Sequence, residues 1–244
     1  MKALAAQSRA ELVLTLRRGE SVLLTLIIPI LLLVFFSTVD ILPKPVGVQD
    51  SVDFLAPGIL ALAVMSTAMV GLGIATGFER QYGVLKRLGS TPLGRPRLLG
   101  AKTVSIVAVE ILQVVVLVIV ALALGWDPAS SVGIGPAAAA MVLASVAFAG
   151  LGLLMAGTLR GEVVLAAANG LYLLLLLLGG MVVPLSKLPG VLRPIARALP
   201  AGALSDALHH SLGGGHVGGS AYWFVLLAWA VAAPVTAALT FRWE

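Results

Sequence analysis

Cysteine is absent from the 244-residue sequence, and charged and aromatic residues are scarce. Without cysteine the chain can form no disulfide, thiolate zinc site or cysteine nucleophile. Only 11% of its residues are charged, where a soluble domain has about a quarter. Aromatic residues make up 6% and no base-reading motif is present, so the net charge of +5 does not indicate a nucleic-acid partner.

Long apolar runs fill the sequence instead, and 59% of all residues are hydrophobic. A helix of about 20 apolar residues crosses a bilayer. The runs therefore predict an all-α polytopic membrane protein, with residues 1–244 as a single transmembrane domain. Residues 1–20 are expected to form an interfacial helix. Six transmembrane helices are predicted, at about residues 21–39, 54–78, 103–124, 134–159, 163–183 and 220–241.

Basic residues predict the orientation of these helices, because Lys and Arg are enriched in cytoplasmic loops. With both termini in the cytoplasm, twelve of the sixteen Lys and Arg residues fall on the inner side. The bias predicts a multi-pass protein of the plasma (inner) membrane whose basic residues contact anionic lipids. The four basic residues placed outside are Lys44, Lys187, Arg193 and Arg197.

The cytoplasmic segment Glu79–Lys102 holds six of the sixteen Lys and Arg residues. Its first part predicts a helix that begins at Glu79 and carries an apolar stripe of Tyr82, Leu85 and Leu88. A charged, partly apolar helix of this kind suits a groove on a soluble partner. A positive-inside loop that binds lipid headgroups is the alternative interpretation.

Three further patterns resemble binding sites only in part. GSTPLGRP, residues 89–96, has the glycine spacing of a phosphate loop but lacks its Lys-Ser/Thr, and GLGIATG, residues 71–77, instead predicts close helix packing. The glycine-rich surroundings of His209, His210 and His216 do not favour a fixed metal site. With no catalytic set in the sequence, we expect no catalytic residue, metal or cofactor in this chain.

Residues 184–215 predict a helical hairpin on the extracellular side. Two short segments with apolar stripes are separated by Pro200, which suits a hairpin that re-enters the outer leaflet. Such an element lies at membrane depth only when it is buried against protein or lines a cavity. A loop lying on the outer surface is the alternative.

Polar residues inside the predicted spans are candidates for a translocation path. Glu110 and Gln113 share one face of the third span, and an ionisable group at membrane depth is a functional candidate. A structural pairing with a neighbouring helix is the alternative for Glu110. For Asn169 in the fifth span, an interhelical hydrogen bond is favoured over a ligand contact.

Two of these segments resemble motifs of one protein family, the membrane subunits of type 2 ABC exporters. The sequence ERQYGVLKRLGSTPL, from Glu79 to Leu93, is similar to the family's E-R-x-x-G-T-L-x-x-L-x-x-T-P-L, with Val84 in place of the threonine. The outer motif G-x-x-x-P-x-x-x-L-P is matched by Gly180, Pro184, Leu188 and Pro189.

The resemblance implies a permease subunit of an ATP-driven exporter for a hydrophobic or amphipathic substrate. Residues 79–95 would be the coupling helix region, and the outer motif a re-entrant cap. ATP and Mg would bind to a separate ABC ATP-binding subunit, and a second, identical or different membrane subunit would complete the path. The residues implied to bind the ATP-binding subunit are Glu79, Arg80, Tyr82, Gly83, Leu85, Lys86, Leu88 and Pro92.

Two other functions stay open at the level of sequence. One is an exporter of haem-type or polysaccharide cargo. The other is a membrane-embedded enzyme or assembly factor that works without an ATPase.

Overall fold

The computed structural model describes residues 19–39, 50–89, 95–128, 133–213 and 220–242, and in these ranges the chain is helical, without strands. All but the last two residues of the predicted interfacial helix lie outside these ranges. The helices are α1 (Gly19–Thr38), α2 (Ser51–Met65), α3 (Leu72–Gln81), α4 (Val84–Gly89), α5 (Arg95–Ala123), α6 (Ile134–Thr158), α7 (Gly161–Leu178), α8 (Leu192–Ala198), α9 (Pro200–Leu212) and α10 (Ala221–Thr240).

Within the described ranges, five helical stretches are long and apolar enough to cross a membrane, which confirms an all-α polytopic membrane protein. The segment Thr25–Thr38 of α1 is a shorter apolar helix, so the count of six spans stays a prediction. The five long stretches are Ser51–Gln81, Gly100–Ala123, Ile134–Thr158, Gly161–Leu178 and Ala221–Thr240.

Helices α2 and α3 form one continuous helix of 31 residues, about 46 Å long, joined by the π-helical segment Ser66–Gly71. The fifth span ends at Leu178, five residues earlier than predicted. Gly180 follows with a φ of +69°, a left-handed conformation that favours glycine and ends the helix. A side chain there would also collide with Leu185.

Small residues bring the helices close together, as the GLGIATG pattern predicted. A Cβ atom on Gly73 of α3 would lie 3.1 Å from the Cα of Gly152 in α6. One on Gly77 would lie 3.1 Å from a methyl carbon of Val164 in α7. The prediction of close packing is confirmed at both glycines, since neither site leaves free space for a larger residue.

The predicted pair of short outer helices is confirmed as α8 and α9. Nearly all side chains of α9 are buried, and α9 packs against α2, α6 and α10. The alternative of a loop lying on the surface is therefore wrong for α9. A second contact fastens this region to α2, because the backbone of Met181 lies directly against Gly58.

Candidate docking turn and intramembrane cavity

A turn at Tyr82 and Gly83 separates α3 from α4. The amide of Tyr82 donates to the Phe78 carbonyl at 2.9 Å, and Gly83 has a φ of +70°, which redirects the chain. The prediction that a helix begins at Glu79 is wrong, because Glu79 lies in the last turn of α3. The continuous span two helix runs on to Gln81 before the chain breaks.

Arg80 fastens this turn to the end of α6. Its guanidinium donates to the carbonyl of Gly157 at 2.5 Å and also to the carbonyl of Leu159. The last carbonyls of a helix have no donor within the helix, and the planar fork of arginine can serve two of them at once. The amide of Arg242 donates to the same Gly157 carbonyl at 3.0 Å, so the residues after α10 meet α6 at this point.

Glu79 fastens the same turn to α5. Its carboxylate lies 2.5 Å from the Nζ atom of Lys102, and the Lys102 side chain is only 4% exposed. Glu79 lies near the C-terminus of α3, where the helix dipole disfavours a negative charge. The Lys102 ammonium group offsets this effect. Glu79 and Arg80 thus make their described contacts within this chain.

The side chains around the turn divide into a buried and an exposed set. Leu85 is completely buried, so the prediction that it forms part of an outward apolar stripe is wrong. The side chain of Leu88 and all of Pro92 lie outside the described residues. The exposed set, called the docking face below, consists of Tyr82 (70% exposed), Val84 (39% exposed), Lys86 and Arg87.

A cavity of about 230 Å³ lies between α1, the π-helical segment and α7. Among the described residues, its polar groups are hydroxyls and one carboxamide, and no charged side chain lines it. Such a wall suits an uncharged amphipathic molecule. Asn169, a predicted path residue, lies in the wall and donates to the Leu165 carbonyl at 2.8 Å. The lining residues are Thr25, Ile28, Pro29, Ser66, Val70, Gly71, Asn169 and Tyr172.

Gln113, the second predicted path residue, lies behind the cavity wall and does not line it. Its side-chain Nε2 atom donates to the Thr25 carbonyl at 2.6 Å, and its side-chain Oε1 atom accepts from the Thr67 hydroxyl at 2.8 Å. Gln113 is 2% exposed. It therefore joins α1 and the π-helical segment to α5, which the sequence alone did not indicate.

Glu110, the third predicted path residue, also lies outside the cavity wall. The hydroxyl of Ser145 in α6 lies 2.5 Å from its Oε2 atom, and the Glu110 side chain is 5% exposed. This contact supports the structural alternative for Glu110, a pairing between α5 and α6.

The four residues of the outer motif follow the end of α7. Gly180 turns the chain, Pro184 is buried and precedes the single 3-10 turn Leu185–Lys187, Leu188 is half-buried and Pro189 is exposed. Sequence reasoning missed the residue that closes this loop. Arg193 donates to the carbonyls of Ser186 and Leu188 at 3.0 and 3.2 Å.

His209 is buried and links α9 to α2. Its Nε2 atom lies 2.9 Å from the Phe54 carbonyl and its Nδ1 atom 2.7 Å from the Ser205 carbonyl. Burial lowers the pKa of His209. His210 packs instead against Tyr222, and His216 lies outside the described residues. Among the residues described, no three metal-ligating side chains come together.

Residues 3–212 match the family of ABC-2 type transporters. The chain belongs to this family. It is also 28% identical over 208 residues to the protein named "Putative transport permease YvfS" of Bacillus subtilis (strain 168), across 82% of this chain and 81% of that protein. The chain is thus a multi-pass transport permease of a family whose members work with ABC ATP-binding partners in general.

Proposed function

We propose that this permease is the membrane subunit of an ATP-driven exporter that moves an uncharged amphipathic or hydrophobic molecule out across the plasma membrane. The docking face carries the proposal. An exposed aromatic and aliphatic pair, Tyr82 and Val84, stands beside exposed Lys86 and Arg87 at the end of a long span. An ATP-binding subunit with an apolar groove and an acidic rim fits this face.

The anchoring of the turn supports transmission of force. Arg80 bonds the turn to α6, and Glu79 pairs it with α5. A displacement of the docking face would therefore be transmitted to α3, α5 and α6. ATP and Mg would bind to the partner, whose closure and reopening shift the spans between two arrangements. A second membrane subunit, identical or different, would face this one across the path.

The side of the membrane on which the ATPase would bind follows from the predicted topology. The twelve basic residues of the predicted inner side include those of the docking face, so the ATPase would meet this face from the cytoplasm. The cavity supports the cargo class, because its described wall combines apolar residues with hydroxyls and one carboxamide and carries no charge. Lipid headgroups would contact the basic rim of the docking face as well.

Purification in mild detergent tests this proposal. We expect an ATP-binding protein to co-purify with the permease from its native cells, and the complex to hydrolyse ATP with Mg. The permease stripped of that protein should show no hydrolysis. Robust ATP hydrolysis by the stripped chain, or a preparation with no ATP-binding protein, would overturn the proposal.

A further inference from the structure

The π-helical segment Ser66–Gly71 interrupts an otherwise regular span. A π-turn holds one more residue than an α-turn, and such bulges are rare and concentrated at functional sites. The segment, STAMVG, contains no proline, and its only glycine is its last residue. Local sequence therefore gives no steric reason for the bulge.

Tertiary contacts hold the bulge from two sides. On one side, the Thr67 hydroxyl donates to Gln113, which in turn donates to the Thr25 carbonyl of the cavity wall. On the other side, Gly152 of α6 lies against the bulge, so that a Cβ there would sit 2.6 Å from the Met69 carbonyl. The π register thus depends on contacts with α1, α5 and α6.

The bulge also lies between the cavity and the docking face. Ser66, Val70 and Gly71 line the cavity, while α3 leads from Leu72 to the anchored turn. If the segment adopts an α register, the residues that follow turn by about 100° and shift by about 1.5 Å along the axis. Such a shift changes the cavity wall and the docking end together.

We propose that Ser66–Gly71 is a register switch, π-helical in this structure and α-helical in a second state, which couples movement of the docking turn to the shape of the cavity. The proposal rests on the proposed function. Gln113 is a positioning residue in it. Its side-chain oxygen accepts a hydrogen bond from the Thr67 hydroxyl in the π-helical state, and this bond would be lost in the α-helical state, where Thr67 faces another direction.

A disulfide can report the register, because Gly77 follows the bulge and faces Val164 of α7. A Cβ on Gly77 would lie 3.2 Å from the Val164 Cβ, slightly less than the roughly 3.5–4.5 Å of a disulfide, so a small separation of α3 and α7 brings the pair into range. The chain has no native cysteine, so a Gly77→Cys/Val164→Cys pair is its only thiol pair. The two single variants are the controls.

The experiment uses the complex with its ATP-binding partner in lipid vesicles. We expect efficient disulfide formation without nucleotide and a drop of about tenfold in rate with a non-hydrolysable ATP analogue and Mg. The disulfide should reduce ATP hydrolysis about tenfold, and reductant should restore it. No disulfide in either state, an equal rate in both, or full hydrolysis by the crosslinked complex would contradict the switch.

Deletion of Ala68 separates the bulge from a general helix movement. It removes the extra residue, so both flanking helices keep their faces while the register can no longer change. In this background the disulfide should form equally well with and without nucleotide. If nucleotide still changes the rate of disulfide formation in this variant, the proposal is overturned. It is also overturned if the Ala68-deletion variant does not accumulate in the membrane, because a regular α-helix should fit at this position. Absence of the ATP-binding partner would instead refute the proposed function.

Discussion

Tyr82 and Leu85 lie three residues apart, yet Tyr82 is 70% exposed and Leu85 is completely buried. Three-residue spacing puts side chains on one face only in an uninterrupted helix. The left-handed Gly83 lies between these two residues and resets the helical phase. The same break explains why Glu79 ends one helix instead of starting another.

Arg80 should be required for the stability of the permease itself. Replacing it with Gln removes the charge and the fork that serve the carbonyls of Gly157 and Leu159. Hydrogen bonds to charged groups contribute about 1.5–3 kcal/mol each, so we expect a clearly lower unfolding temperature in detergent. Tyr82→Ala is the matched control, because Tyr82 is mostly exposed, and it should unfold like the wild type. Equal unfolding temperatures for Arg80→Gln and wild type would refute the anchoring role.

Asp206 should make stability depend on pH. Asp206 lies in α9, outside the long apolar spans, where burial raises its pKa to about 6 and nearby Arg197 opposes the shift. The folded chain binds the Asp206 carboxyl proton more tightly than the unfolded chain does. The stabilisation of the folded state by this protonation is therefore complete below about pH 4 and is lost as the pH rises through about 6. Asp206→Asn should therefore raise the unfolding temperature at pH 7.5 and leave it nearly unchanged at pH 4. A gain of the same size at both pH values would contradict this assignment.

At the scale of elements, the hydrophobic runs predicted the spans well because membrane length and apolar composition dominate there. The outer helices followed from apolar stripes around Pro200. The bulge at Ser66–Gly71 could not be predicted, since it is held by Gln113 and Gly152, which are distant in sequence. For the same reason, the sequence identified Asn169 as one of three polar candidates for a translocation path, but it could not show that Asn169 alone of the three lines the cavity.

The cavity between α1, the π-helical segment and α7 predicts a selective effect of Gly71→Leu. A Cβ there would have its nearest neighbour, the Ser66 carbonyl, at 3.8 Å, so the new side chain can enter the cavity without displacing backbone. We expect a folded complex whose affinity for a neutral amphipathic dye, measured by fluorescence titration, falls about tenfold or more.

Gly170→Leu is the control for this substitution, because Gly170 also lies in a span but has no atom within 4 Å of its Cβ position and does not line the cavity. It should bind the dye like the wild type. Equal dye affinity for both variants would mean that the cavity is not the binding site.

At the scale of the whole molecule, orientation decides which end meets the ATPase. Glu162, exposed in the first turn of α7, is predicted to be cytoplasmic, and Ser186, exposed in the outer motif, is predicted to be extracellular. Because native cysteine is absent, Ser186→Cys should react with an impermeant thiol reagent in intact cells, and Glu162→Cys only after permeabilisation. The opposite labelling pattern would overturn the predicted orientation and, with it, the assignment of the docking face.

The most direct test of the account is recovery of the ATP-binding partner with a Val84→Asp permease. Val84 is exposed on the docking face, whereas Leu85 is buried and its replacement would damage the fold itself. Val191→Asp is the matched control, since Val191 is 78% exposed at the end that is predicted to be extracellular. An unpaired charge in the apolar contact should reduce partner recovery about tenfold for Val84→Asp and leave Val191→Asp unchanged, at equal permease levels. Full partner recovery with Val84→Asp would contradict the assignment of the docking face.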